Sequence, residues 1–333
     1  MRVPEDSPHR GLDSNVANNP GALPVLILAY NRPSLTRKVI TAALRMNPPS
    51  IYFAVDGPDS QDANDQLRVA ATQDLAELLV EAPVASRTLF RESRLGCRLA
   101  VQEALDWFFG SEPRGIVLED DCVPEPGFGT FCRRSLDTVI EGSQIIAVTG
   151  GVRGVRLRGS PNTQVANLLG SSWGWAAAAH DWHQSFRDME QLSTNEVRHA
   201  VMTNLGPKLG RLRLREFDRA RWQQQVGLVD SWAYPWALYR AFTGRWSISP
   251  LQSMITNIGA DLLPSHKRRT PQISPFYGRA TRIDESLVRI NENIETHTLW
   301  HFKNPYWLAL RARDISRVRN RFANFHTVRS GFK

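Results

Sequence analysis

Three acidic residues stand in a row at Glu119-Asp120-Asp121, immediately after the apolar run Ile116-Val117-Leu118. A short, uninterrupted run with β-branched residues reads as a buried strand. Carboxylates crowded at its end repel one another unless a cation or a basic group neutralises them. Hard divalent ions such as Mg²⁺ take oxygen ligands and are held by one or two carboxylates together with substrate phosphates. A solvated acidic turn has the same composition, so the triplet alone leaves both readings open. Two more carboxylates stand out: Asp56, after the apolar residues 51–55, and Asp230, in the stretch Ser231-Trp232-Ala233-Tyr234-Pro235-Trp236. An aromatic setting of that kind desolvates a carboxylate and raises its pKa toward a base's working range.

These groups need a scaffold, and the apolar pattern supplies one. Residues 23–30 read as a first buried strand, followed by the turn Asn31-Arg32-Pro33-Ser34 and a helix carrying Leu35, Val39, Ala42, Ala43 and Met46. A second strand at 51–55 ends in Asp56-Gly57-Pro58-Asp59, a strong turn signal. Residues 62–82 place Leu67, Ala71, Leu75, Leu78 and Leu79 on one helical face. Residues 87–90 form a short strand, and 95–109 a helix that buries Leu99, Leu105, Phe108 and Phe109. After the acid-tipped strand, Pro126-Gly127 opens a helix bearing Phe128, Phe131, Val139 and Ile140, and 145–149 is a further strand. The alternation predicts an α/β fold, a mostly parallel sheet flanked by helices. Ligands of such sheets sit outside the carboxyl ends of the strands, where Asp56 and Asp121 both fall. Beyond Gly150-Gly151 the chain turns Trp-rich, at Trp173-Gly174-Trp175 and again around Asp230, with a basic helical segment at 208–221 between them.

The balance of 41 Lys+Arg against 33 Asp+Glu gives a net charge of +8, which favours an anionic partner. No zinc-finger spacing or aromatic-basic RNA-binding signature accompanies it, so nucleic acid is not the expected partner. No stretch approaches the roughly 18–20 apolar residues of a membrane span. The polar segment 1–22 lacks the apolar core of a signal peptide and reads as a disordered leader. Cys97, Cys122 and Cys132 form no Cys-x-x-Cys pair and suit a reducing cytosol.

The order of these features is more specific than any one of them. An apolar strand with Asn31-Arg32 comes first, then a strand with Asp56-Gly57, then Arg94-Leu95-Gly96, then the strand with Glu119-Asp120-Asp121. Trp173-Gly174-Trp175 and Asp230-Ser231-Trp232 follow. Over residues 24–266 this resembles the GT-A (Rossmann-like) glycosyltransferases, in particular the bacterial family-2-like inverting enzymes and N-acetylglucosaminyltransferase I.

The resemblance implies a role for each matching residue. Asp121 would bind Mn²⁺ or Mg²⁺ bridging the two phosphates of a sugar nucleotide, with His266 as a late metal- or phosphate-binding residue. Glu119 and Asp120 would contact ribose or sugar hydroxyls or order the metal's water shell. Asp56 would accept a hydrogen bond from the base, Asn31 and Arg32 would line the nucleotide pocket, and Arg94 would offset diphosphate charge. Trp173, Gly174 and Trp175 match the loop that closes over donor sugar and acceptor, although the same Trp residues suit a plain core. Asp230 matches the general base, with Asp181 as its rival.

The expected activity is a metal-dependent transfer from a nucleotide-diphosphate sugar, a UDP-sugar favoured, to a glycan or lipid-linked acceptor. A sugar-phosphate nucleotidyltransferase and a catalytically silent sugar-nucleotide-binding protein are the alternatives. The expected organisation is a leader at 1–22, a nucleotide-sugar half at 23–150, an acceptor half at 151–270 and a basic extension at 271–333. The expected location is cytoplasmic, with peripheral contact to the inner membrane through the tail. Residues 303–333 carry Arg311, Arg313, Arg317, Arg319 and Arg321 interspersed with Trp307, Leu308, Leu310, Ile315, Val318 and Phe322. That pattern fits an interfacial helix or a solvated basic helix packed on the domain. Full-length protein should float with anionic liposomes in a salt-sensitive manner and lose that binding on deletion of residues 303–333. Absent flotation, or flotation that survives the deletion, removes the membrane expectation.

Overall fold

The computed structural model describes residues 22–137, 144–150, 164–167, 171–250, 253–259 and 280–283. The expected leader (Ala22 apart), Val139, Ile140, His266 and residues 303–333 lie outside them. The first half runs β1 (Val25–Ala29), α1 (Pro33–Leu44), β2 (Ser50–Val55), α2 (Ala63–Gln73), α3 (Glu77–Val80) and β3 (Ala85–Phe90). It continues through α4 (Cys97–Ser111), β4 (Arg114–Glu119), β5 (Cys122–Pro124), α5 (Phe128–Leu136) and β6 (Ile145–Thr149). Next come β7 (Gln164–Asn167), β8 (Trp175–Ala178), α6 (Ala179–His183), α7 (Asn195–Gln225) and α8 (Ala233–Thr243). The remaining strands are β9 (Trp246–Pro250), β10 (Ile255–Asn257) and β11 (Ala280–Ile283).

Among the described residues, nine strands form one sheet in the order β11-β7-β9-β6-β8-β4-β1-β2-β3. The fold is the α/β class that the alternation predicts. The sheet is parallel from β3 through β2 and β1 to β4. Beyond β4 it is mixed, because β8 inserts antiparallel between β4 and β6. Both faces are buried. Val25 and Ile27 of β1 pack with Val39 and Ile40 of α1, whereas Leu26 and Leu28 pack with Leu105 and Phe108 of α4. Side chains alternate across a strand, so a strand covered on both faces must be apolar throughout, which is why β1, β2 and β4 read as unbroken runs.

Register decides where the chemistry falls. In the parallel ladders Leu28 pairs with Glu119, and Ala29 pairs with Val55. The carboxyl ends of β1, β2 and β4 are therefore level. Tyr30-Asn31-Arg32, Asp56 and the acidic turn emerge along one edge of the sheet.

Two buried faces differ from expectation. On α2 the buried residues are Asp65, Val69 and Thr72, while Leu67 is 70% exposed and Ala71 also faces solvent. The helix is rotated because its inward face is anchored by a buried acid, which apolar periodicity does not count. On α4, Leu99 is 41% exposed, since Cys97, Ala100 and Val101 are the residues of its first turns that face inward to a cleft.

The Trp-rich half packs as core. Trp175 is 1% exposed, stacked on Trp232 at 5.8 Å between ring centroids and against Trp236 at 5.3 Å. The basic segment is part of α7, which bends at Gly206-Pro207 where proline removes a backbone donor. Asp181, the rival base, is fully buried and ion-paired to Arg245, whose guanidinium also donates to the Ile145 carbonyl at 2.7 Å. Removing one partner of a buried pair leaves an uncompensated charge. Asp181→Ala should therefore lower unfolding free energy by about 3–5 kcal/mol, read as a fall in the urea midpoint.

Candidate functional site

The edge opens into a cleft of about 320 Å³ whose lining includes Tyr30, Arg32, Asp56, Arg94, Cys97 and Glu119. Its rim is built by Asp65. This carboxylate accepts from the Tyr30 hydroxyl and from Asn31 Nδ2, each at 2.5 Å, and from the Asp59 amide at 2.8 Å. Burial works against its charge, yet the Tyr30, Asp59 and Asn31 donors together pull its pKa down to about 2. Asn31 is thus spent on holding the rim, and the Tyr30 ring faces the cleft with the Arg94 guanidinium 5.2 Å from its centroid. Arg94 also lies 3.7 Å from an Asp59 oxygen, which leaves it half-exposed at the mouth.

The floor is the turn between β4 and β5. Arg32, in the turn between β1 and α1, donates Nε to Asp120 Oδ2 at 3.0 Å and Nη1 to Asp121 Oδ2 at 3.0 Å, and its Nη2 pairs with the other Asp120 oxygen. Asn257 of β10 donates Nδ2 to Asp121 Oδ1 at 2.9 Å, and the Ile258 amide donates to the Asp121 carbonyl at 2.8 Å. A side chain at Gly259 would collide with the Asp121 carboxylate, so glycine lets the β10 end close over the turn. Glu119 accepts from the Trp232 indole N–H at 3.2 Å. Burial pushes Glu119 up to about 7, helped by the Asp121 charge and opposed by Trp232. Burial likewise raises Asp120, to about 6, against the opposing Arg32.

The wall facing the turn is the start of α4. Asp56 lines the cleft, but its carboxylate accepts three backbone amides, from Gly57 at 2.9 Å and from Leu95 and Gly96 at 3.0 Å. Its first task is to pin the loop that enters α4. Gly96 has φ +86°, which favours glycine, and a Cβ there would lie 2.5 Å from Asp230 Oδ2, so a side chain at this position would displace the Asp230 carboxylate. That contact also places Asp230 at the mouth of the cleft, with Arg98 Nε 3.8 Å away. Asp230 is 51% exposed, while Trp232 and Trp236, the aromatic neighbours expected to enclose it, are buried in the core. Desolvation of the Cys97 thiol comes first, and the charges of Glu119 and Asp230 add to push it up to about 11.

Trp175 lies in the core and does not wall the cleft, because β8 buries it against β4 and α8. Trp173 packs at the edge of the β1–α1 core, and the Gly174 carbonyl accepts from the Gly150 amide at 2.8 Å. Sequence reasoning missed Tyr30, Asp65, Cys97, Arg98 and Asn257. A signal existed for two of them: Tyr30 ends the first apolar run, and Asn257 sits two residues before Gly259.

A hard cation fits the acidic turn. Glu119, Asp121 and Cys122 bring ligand atoms within 4.8 Å of one another. Burial and the neighbouring carboxylates drive the Cys122 thiol well above its ordinary value, and a hard cation prefers the carboxylate oxygens to a sulfur. Glu119 and Asp121 would hold the ion, while Asp120 is committed to Arg32.

No protein-family model matches the chain, and no curated protein matches it. Solved structures do. Mouse xyloside xylosyltransferase 1 in its apo form is 10% identical over 67% of this chain and 80% of that one, with a TM-score of 0.32. Mannose-1-phosphate geranyltransferase from Thermus thermophilus is 12% identical over 71% of this chain and 76% of that one, at 0.32. A UDP-glucose pyrophosphorylase complexed with UDP-glucose is 8% identical over 72% and 94%, at 0.33. No helix among the described residues is long and apolar enough to cross a membrane.

The raised carboxyls carry a pH signature. Folding lifts Glu119 from an ordinary 4.5 to about 7, so the folded protein keeps a proton that the unfolded chain has released. Its contribution is fully present below the unfolded value and is lost as pH rises through the folded one. The thermal midpoint of the ligand-free protein should therefore fall between about pH 5 and pH 7.5, and Glu119→Gln should flatten that fall. Parallel pH profiles for the two proteins would refute the assignment.

Proposed function

We propose that this chain is a metal-dependent, inverting glycosyltransferase. It moves a sugar from a nucleotide-diphosphate sugar, a UDP-sugar favoured, to the hydroxyl of a glycan or lipid-linked acceptor. The observation that carries this reading is a pair of acidic stations about one cleft: Glu119, which lines it and lies with Asp121, and Asp230, which stands against Gly96 on the opposite lining. An inverting displacement needs this arrangement: charge stabilisation on the leaving side and a proton acceptor on the other.

The residues divide the work. Tyr30 offers a ring face to the base, and Asp56 Oδ2, which accepts a single bond, keeps a lone pair for a base N–H. Arg94 and Arg32 face the diphosphate. Glu119 and Asp121 would hold a divalent ion, which when bound would supply Lewis-acid stabilisation of the leaving diphosphate. Asp230 takes the acceptor's proton, the acceptor oxygen bonds to the anomeric carbon, and the bond from that carbon to the diphosphate oxygen breaks with its electrons leaving on the nucleotide. Half-exposure suits Asp230 to this task, because an acceptor must reach it from solvent.

Titration calorimetry against a panel of sugar nucleotides, with and without Mn²⁺, identifies the donor. Product analysis then separates nucleoside diphosphate release from the pyrophosphate chemistry of a nucleotidyltransferase. Asp230→Asn keeps shape but removes the basic site, so turnover should drop by about 10²–10⁴-fold with donor affinity nearly unchanged. Wild-type turnover in that variant would overturn the base assignment.

A further inference from the structure

Arg32 holds the place on the acidic turn that a metal would take. Its guanidinium bridges Asp120 and Asp121, and Asn257 engages the other Asp121 oxygen, so each oxygen of Asp121 already accepts a hydrogen bond. A +1 fork and a +2 ion compete for the same Oδ2 and repel each other at that range. We propose that Arg32 is a latch on the metal site: it keeps divalent ions off Asp121 in the free protein and releases Asp121 to them when a nucleoside diphosphate arrives. This deepens the proposed function and rests on it.

The geometry allows such an exchange. The Arg32 side chain is 42% exposed and lines the cleft, so its movement uncovers no core. Two of its nitrogens hold Asp120, which is buried and acts as the pivot, and only Nη1 reaches Asp121. Guanidinium groups bind phosphate oxygens through the same parallel N–H donors that they offer to carboxylates. A diphosphate in the cleft therefore offers Nη1 a new acceptor and the ion additional oxygen ligands in one step. Asp121 Oδ2 is freed as its replacement cation gains partners. Coupling of this kind is reciprocal: the nucleotide strengthens metal binding by the factor by which the metal strengthens nucleotide binding.

The test reads Mn²⁺ binding by electron paramagnetic resonance on the full-length protein, with and without UDP, independently of turnover. Wild-type protein should bind Mn²⁺ at least about tenfold more tightly with saturating UDP than without it. Arg32→Gln should raise the nucleotide-free Mn²⁺ affinity by about tenfold and shrink the effect of UDP. Adding Asp121→Asn to that variant should abolish the gain, which places the ion. Arg32→Lys keeps the charge without the fork. It should shift nucleotide-free affinity in the same direction, and it serves as the readout if the Gln variant fails to fold. If Mn²⁺ binds with UDP but its nucleotide-free affinity is unmoved in the folded variants, the latch is overturned and the metal-dependent reading stands. If Mn²⁺ binds neither wild type nor variant in the presence of UDP, both fall together.

Discussion

Charge crowding at the end of β4 is the constraint around which the site is organised. Three successive carboxylates leave a strand whose preceding residues are fully buried, and water alone does not relieve them. Each receives a different remedy. Glu119 takes an indole N–H and a raised pKa, Asp120 takes the guanidinium of Arg32, and Asp121 shares that guanidinium with an amide from β10. Those partners come from the β1–α1 turn, β10 and the start of α8, so relieving the repulsion draws distant parts of the chain together. The short β5–β10 ribbon is part of the same solution, since it presents Asn257 to the turn.

Acids also shape the rest of the cleft by binding backbone. Asp56 gathers three amides and sets the entry to α4. Asp65 gathers the Asp59 amide with two side-chain donors and sets the rim. In both, a carboxylate replaces water for groups that a loop would otherwise leave unsatisfied. The cleft walls are therefore preorganised by bonds that a ligand need not make.

Much of the fold was legible because doubly covered strands carry an apolar signal on every residue. β1, β2, β4 and β6 were readable in this way, and the level strand ends follow from parallel pairing. The α2 face was misread for a physical reason: Asp65 is buried through hydrogen bonds, and hydrophobic periodicity assigns such a residue to solvent. Trp175 was equally ambiguous, since an indole suits a sugar or a core, and only the antiparallel insertion of β8 puts it inside. β5 and β10 span three residues each, too few to show a period. The acidic turn itself was visible, but Arg32 could not be assigned to it from sequence, because the two are joined by register across the sheet.

The environments of the aspartates separate structural from chemical roles better than their sequence neighbours do. Asp181 follows the Trp-Gly-Trp loop closely in sequence, yet it is fully buried and ion-paired to Arg245. Using it as a base would require breaking that pair. Asp65 is equally committed, to three donors. Asp230 has the opposite environment: half-exposed, with one arginine nitrogen at 3.8 Å and a glycine in place of any side chain beside it. A proton acceptor in an inverting transfer needs access for the incoming hydroxyl and a position across the cleft from the leaving group. Asp230 has the first of these, and it stands against Gly96 of the cleft lining, where the absence of a side chain leaves room for its carboxylate beside α4; the proposed base assignment rests on that environment.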